Sequence, residues 1–277
     1  MSRWRWLKCV LRPVYRTVLT PRWQEMLGQY RSGQVSERDI ELFAHLEGVN
    51  GLVIDAGANR GQFALSLLSV NRSLNILGFE PNAGLRWALL MVALLGRGRF
   101  RFRLRGLSDR KQRLQLHVPV TKSFDLSSNA SLDPDEFDKD YVQTRLTGYS
   151  HRSGGRYRFG RRRVRLIRLD ALGLSPLAIK IDVEGWELQA LKGMRETIER
   201  CHPLLMIELN NQHRFLPWLQ DLGYRFYRYD PEARTLSPAD CMEGMLNVFA
   251  LHPHMPATVS VPIARHICRS GPSGTKS

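Results

Sequence analysis

Leu52-Val-Ile-Asp-Ala-Gly-Ala-Asn-Arg-Gly-Gln-Phe-Ala64 is the stretch on which the fold turns. Leu52, Val53 and Ile54 form an apolar run with a β-branched pair, long enough for a buried parallel strand and too short for a helix. Asp55 ends the run, and Gly57 and Gly61 then permit a tight turn with close backbone approach to a ligand. From Gln62 onward Phe63, Leu67 and Leu68 have helical spacing, so the loop opens a helix whose free N–H groups point back at it. The pattern predicts the first strand–loop–helix of an α/β, doubly wound, Rossmann-like sheet, in which ligands bind at the carboxyl ends of the strands.

Charge narrows the ligand. A dinucleotide loop needs three glycines at G-x-G-x-x-G spacing, which this loop lacks. A carboxylate at the strand end would repel a pyrophosphate and suits a ligand carrying positive charge and hydroxyls. Glu80 ends the next apolar run, Ile76 to Phe79, where a doubly wound fold places the acid that accepts from ribose hydroxyls. Two acids around a glycine loop favour S-adenosylmethionine over a nicotinamide cofactor, and an ordinary strand–turn–helix has no need of either.

Further along, Leu85 to Leu95 reads as a largely buried helix. Arg99-Phe-Arg-Phe-Arg-Leu-Arg105 alternates as an edge strand with its arginines outward. Leu114, Leu116 and Val118 form another short strand. Residues 121–161 are irregular: a Ser127–Leu132 polar cluster, acidic Asp133–Asp140, then a Gly/Arg-rich stretch. A connection of that length is read as a substrate loop. Strands Val164–Leu169 and Ala178–Asp182 follow, then a helix from the Val183–Glu187 turn to about Arg200. The strand Leu204–Glu208 precedes Asn210, Asn211 and His213, and strands Tyr224–Tyr229 and Asn247–Leu251 close the sheet. Asp55, Glu80, Asp182 and Glu208 thus each end an apolar strand and should share one edge, as a cationic, hydroxyl-rich cofactor would require.

Residues 1–47 read as an N-terminal helical extension interrupted at Pro13 and Pro21, with a second helix from Ser36, its N-cap, to Leu46. Residues 48–252 form the main domain, and 253–277, without periodicity, are expected to be a disordered tail whose His252, His254 and His266 are solvated. Net charge is +15. Residues 97–113 carry eight Lys/Arg against one Asp, and residues 151–168 carry eight Arg and no acid. Such local excess normally means a solvated face; the sharper reading is an anionic substrate held by Arg156, Arg158, Arg161, Arg162 and Arg163. Four scattered cysteines without a C-x-x-C pair argue for a reducing, cytoplasmic location. The basic, Trp-bearing residues 1–20 suit peripheral contact with the inner face of an anionic membrane, or packing as a lid.

The ordered blocks resemble the FkbM family of S-adenosylmethionine-dependent methyltransferases. They are Val53–Phe63, Phe79-Glu-Pro81, Leu107-Ser-Asp109, Ser127–Leu132, Leu169-Asp170, Ile179-Lys-Ile-Asp-Val-Glu-Gly-Trp-Glu187, Pro203–Glu208 and Asn247–Ala250. The second block departs from the pattern by lacking a further proline after Pro81, and the N-terminal extension and arginine-rich loop lie outside it. The resemblance implies a class I methyltransferase sheet and O-methylation of a hydroxyl on a sugar, glycan or secondary metabolite. It implies that Asp55, Gly57, Asn59 and Gly61 cradle the methionine part, that Glu80 holds the ribose, and that Leu107 and Ser108 flank the adenine. Asp182, Glu184, Glu208 and His213 are the candidates for the base that takes the hydroxyl proton, with Glu184 or Glu187 alternatively stabilising a helix start. Asp182, Glu208 and Asn210 or Asn211 could together hold Mg²⁺; the metal-free reading, with Asp182 or Glu184 as base, is preferred. An RNA methyltransferase or RNA-binding protein using the basic surface is the competing function, unaccompanied by any nucleic-acid motif.

Overall fold

Strand β1 (Gly51–Ala56) is apolar on both faces because it lies mid-sheet. Val53 packs into one hydrophobic cluster, while Ile54 and Ala56 pack into the other. The computed structural model describes residues 21–120, 130–132, 137, 142–144, 146–148, 158–210 and 212–268. Its eight-stranded sheet has the order β10-β9-β11-β8-β7-β1-β2-β3. The strands are β2 (Leu74–Phe79), β3 (Phe100–Arg103), β7 (Ala178–Ile181), β8 (Leu204–Glu208), β9 (Arg225–Asp230), β10 (Thr235–Pro238) and β11 (Asn247–Leu251). β3, β2, β1, β7 and β8 run parallel, and β11 runs against β8 and β9. Winding reverses between β2 and β7 on either side of β1, so a crevice opens at the carboxyl end of β1. The doubly wound expectation holds.

Helices cover both faces. α1 (Pro21–Ser32), a 3₁₀ helix (Arg38–Leu46), α2 (Gln62–Val70) and α3 (Arg86–Leu95) pack on one side through Met26, Phe43, Leu67 and Leu89. α4 (Glu187–Lys192), α5 (Arg195–Cys201) and α6 (Gln212–Asp221) pack on the other through Leu191, Ile198 and Phe215. A second sheet, β4 (Gly106–Leu107), β6 (Arg158–Ile167) and β5 (Gln112–Val120), stands beside the crevice.

Several expectations need correction. Pro21 starts α1, where its missing N–H costs nothing. Ser36 does not cap the next helix: its hydroxyl accepts from Ser66 (3.1 Å), and Glu37 takes the cap position of a 3₁₀ helix. The helix expected from Glu187 to Arg200 is two helices. Gly193 breaks it, because the carbonyl of Ser108 presses where a Cβ would stand, and Asp170 then caps α5 by accepting from the Thr197 N–H (2.9 Å). The helix from Leu85 is half-exposed rather than largely buried: only Ala88, Leu89 and Val92 of α3 are buried, and Leu94 is 72% exposed. The strand expected from Val164 begins at Arg158, so the arginines taken for a loop lie on β6. Most of residues 121–157 fall outside the described residues, as do residues 1–20 with their expected membrane contact.

The tail is the largest correction. α7 (Ala257–Ala264) docks on the 3₁₀ helix with Val259 and Ile263 fully buried, and Ile267 pairs with Leu236. His252 is buried and stacks on His202 at 4.0 Å, and His266 stacks on His45 at 3.5 Å. Ile263→Ala is therefore expected to destabilise the protein by about 2–4 kcal/mol in denaturant unfolding; a change under about 0.5 kcal/mol would return the segment to solvent. Among the described residues no helix is long and apolar enough to cross a membrane.

Candidate active site

The loop after β1 is shaped by its own backbone. The N–H groups of Gly57 and Ala58 both donate to the Phe79 carbonyl at 3.0 Å, tying the loop to the end of β2. Gly57 has φ +89°, and a Cβ there would run into the Asp182 carbonyl oxygen, so only glycine lets the ends of β1 and β7 meet. Asn59, in the left-handed region at φ +48°, donates its N–H to Glu80 Oε2 at 2.9 Å, and Asn82 donates to Glu80 Oε1 at 2.7 Å. Two backbone donors fix the carboxylate in the wall of a cleft with about 570 Å³ of empty space. Burial pushes Glu80 up to about 7 despite those two bonds. Phe79, Pro81, Leu107, Leu116 and Trp186 give this compartment an apolar side, and Asp182 and Glu184 also border it.

Gly57, Asn59, Asp182 and Glu184 are shared with a second compartment of about 760 Å³, which adds Glu37, Lys180 and Glu208. Alternation explains the gathering: Val53 and Asp55 on β1, Ala178 and Lys180 on β7, and Met206 and Glu208 on β8 face the same layer. Lys180 Nζ lies 2.7 Å from Asp182 Oδ2 and 3.9 Å from Asp55 Oδ1, and 5.9 Å from the centre of the Phe63 ring. Burial opposes its charge, but Asp182 and Asp55 more than offset that and raise its pKa. Glu208 is shifted strongly upward, first by burial and then by the neighbouring Asp182 carboxylate, to which it is hydrogen-bonded, with Glu184 adding to the effect. Asn210 Nδ2 donates to Glu208 Oε2 at 2.5 Å.

Three of the expected cofactor residues stand behind the wall. Asp55 is fully buried, its oxygens accept no hydrogen bond among the described residues, and burial pushes it up to about 6. It serves Lys180 from below. Gly61, at φ +88°, caps α2 and lies against Val92. Ser108 is buried, and its hydroxyl accepts from Trp186 Nε1 at 3.2 Å and Gln112 Nε2 at 3.0 Å, so it orients the tryptophan that borders the cleft. Glu187 is also structural: it accepts from the Gly185 N–H at 3.0 Å and closes the turn in which Glu184 has φ +52°. His213 is exposed on α6 and lines neither compartment, and Asn211 lies outside the described residues.

Glu37 was not anticipated. Asn247 Nδ2 donates to Glu37 Oε2 and Asp39 Oδ2, both at 3.0 Å, drawing the start of the 3₁₀ helix over the end of β8. The only local signal was an acidic pair ahead of an amphipathic helix, which reads as capping. Of the arginines expected to hold an anionic substrate, Arg158, Arg161 and Arg163 are exposed, Arg162 turns inward to Asn82 Oδ1, and Arg156 lies outside the described residues. Charge removal at Arg161 and Arg163 is expected to leave acceptor KM within about twofold, as for other solvated charges; a tenfold rise would place them at the acceptor.

The sequence model for the methyltransferase FkbM domain matches residues 55–226, the span carrying this crevice. The chain belongs to the FkbM methyltransferase family. The matched span lies on the doubly wound, Rossmann-like sheet. Among solved structures it is similar to methyltransferase FkbM from Methylobacillus flagellatus KT, at 16% identity and a TM-score of 0.46 over 76% of this chain and 48% of that one. It is also similar to precorrin-6y C5,15-methyltransferase from Geobacter metallireducens GS-15, at 10% identity and TM-score 0.37 over 77% and 84% of the two chains. An rRNA methylase from Streptococcus thermophilus gives 12% identity and TM-score 0.39 over 77% and 93%. The chain thus spans about half the length of the Methylobacillus protein. No curated protein matches the sequence.

Proposed function

We propose that this FkbM methyltransferase transfers a methyl group from S-adenosylmethionine to a hydroxyl oxygen of a glycan or secondary metabolite. The observation that carries the reading is a crevice in which a slot of apolar side chains and Glu80 meets, across the shared Asp182 and Glu184, a second compartment that adds Glu37, Lys180 and Glu208. The residues fit the cofactor chemically: Glu80 keeps acceptor capacity for ribose hydroxyls, the Phe79–Trp186 slot suits a base, and Gly57 and Asn59 leave backbone open beside a cationic amino acid. When bound, the cofactor supplies a methyl group on a sulfonium, open to in-line attack.

The chain's own part is alignment and one proton. Effective alignment of acceptor oxygen and methyl supplies most of the acceleration. Asp182 takes the hydroxyl proton: Lys180, 2.7 Å away, is the counter-charge of its carboxylate, and the hydrogen bond with Glu208 orients it. Glu184, bordering both compartments, holds the cationic ligand by charge and is the second candidate for the base. The ammonium of Lys180, 2.7 Å from Asp182, already supplies the counter-charge a divalent ion would bring. Turnover is therefore expected to survive exhaustive chelation in full; loss restored by Mg²⁺ would install a metal at Asp182 and Glu208.

Cofactor identity is checked by thermal shift. S-adenosylmethionine and its demethylated product should each raise the unfolding temperature, and nicotinamide dinucleotides should not; the reverse pattern would remove the assignment.

A further inference from the structure

At the other edge of the main sheet, by the amino ends of β2 and β3, a cleft of about 1090 Å³ opens between α1, the end of α2 and the end of α3. Arg31, Arg72, Arg97 and Arg99 line it with Ser69 and Tyr30, and its described walls hold no acid. Arg99 is fixed, its guanidinium donating to the carbonyls of Asn71 (2.8 Å) and Leu68 (3.3 Å). Arg31, Arg72 and Arg97 are exposed, and among the described residues none of their guanidinium groups pairs with a carboxylate; the backbone N–H of Arg72 donates to Glu47 Oε2 at 2.8 Å. Like charges gathered in one concavity repel one another and raise the local concentration of anions.

The cleft adjoins an apolar strip. Leu94, 72% exposed, and Leu90, 37% exposed, lie one turn apart on α3, and the Arg97 N–H bonds the Leu94 carbonyl at 3.3 Å. A free phosphate has no use for these leucines. Single-stranded nucleic acid would be met by stacking rings, and Tyr30 is instead packed against the core. Guanidinium groups beside exposed leucines match a headgroup layer over an acyl boundary. The chain also enters α1 from residues 1–20, which carry Arg3, Arg5, Lys8, Arg12 and Arg16 and no acid.

We propose that this edge seats the protein on an anionic phospholipid surface, with Arg31, Arg72 and Arg97 on lipid phosphates and Leu90 and Leu94 in the acyl boundary. That placement turns the Glu80–Asp182 crevice, at the opposite ends of the strands, toward water. Flotation of the full chain with vesicles of phosphatidylglycerol in phosphatidylcholine tests it, with pure phosphatidylcholine as the neutral arm. Binding is expected to the anionic vesicles alone. The Arg31→Gln, Arg72→Gln, Arg97→Gln triple variant should lose about a hundredfold in affinity, at roughly fivefold per arginine, and Leu94→Ser should lose severalfold, with unfolding midpoints unchanged. Equal binding to both vesicles, or undiminished binding of the triple variant, overturns the proposal. So does thermal protection by inorganic phosphate, or capture of RNA, that vanishes in the triple variant while vesicle binding is absent.

Discussion

Glu80→Ala is expected to weaken S-adenosylmethionine binding by about a hundredfold in calorimetric titration. The carboxylate accepts from Asn59 and Asn82 and keeps lone pairs facing the cleft. Hydrogen bonds to a charged acceptor contribute about 1.5–3 kcal/mol each, and removal also frees the loop those backbone donors fix. Affinity should depend on pH in a definite direction. Because burial raises Glu80 to about 7, the ionised form needed to accept ribose hydroxyls gains population as pH rises through neutrality, and affinity rises with it. Stability of the unliganded chain runs the other way. A raised pKa means the native state holds more protons than the unfolded one, so the contribution is complete below the ordinary carboxylate range and lost as pH rises through about 7. Asp55 and Glu187 act in the same sense, at about 6 and about 7. His202 and His252, both lowered by burial, oppose them by costing stability as pH falls through the ordinary imidazole value. Wild-type affinity in Glu80→Ala would detach the cofactor from this cleft.

Asp182→Asn should lower kcat about a thousandfold, within the range for loss of a positioned base, while cofactor affinity changes only severalfold. The amide keeps the shape, and its side-chain oxygen can still accept from Lys180. Asp55 remains 3.9 Å from the ammonium, so the buried lysine keeps a counter-charge and the fold persists. Glu184→Gln distinguishes the two acids: as a ligand of the cationic cofactor it should raise KM for the cofactor more than it lowers kcat. A mutant Asp182→Asn with wild-type kcat would pass the base to Glu184.

The crevice was legible in sequence wherever the signal was local. An apolar run closed by an acid marks a strand end, and the turn glycines mark where backbones crowd, which is how Asp55, Glu80, Asp182 and Glu208 were placed on one edge. Alternation along Ala178–Asp182 sets Lys180 and Asp182 on one face, 2.7 Å apart. Local signals fail where a residue's use is decided from across the fold. Asp55 reads like Glu80, but only Glu80 has a cleft in front of it; Asp55 has Lys180. Ser108 follows Leu107, yet strand alternation turns it to Trp186 rather than to the slot. Glu37 enters the site through Asn247, 210 residues away in the chain. In Ala257–Ala264, Pro262 and the β-branched Val259 and Val261 hid a helix whose stability comes from burying Val259 and Ile263 against the 3₁₀ helix.

Position of the transferred methyl tests the account most directly. The full chain is incubated with methyl-labelled S-adenosylmethionine and glycan extracts, and the label is located in the product by mass spectrometry. The account predicts incorporation as a methyl ether on a hydroxyl oxygen, strongly reduced by Glu80→Ala at sub-saturating cofactor and resistant to nuclease. Label on nitrogen or carbon, or label released by ribonuclease, would contradict it.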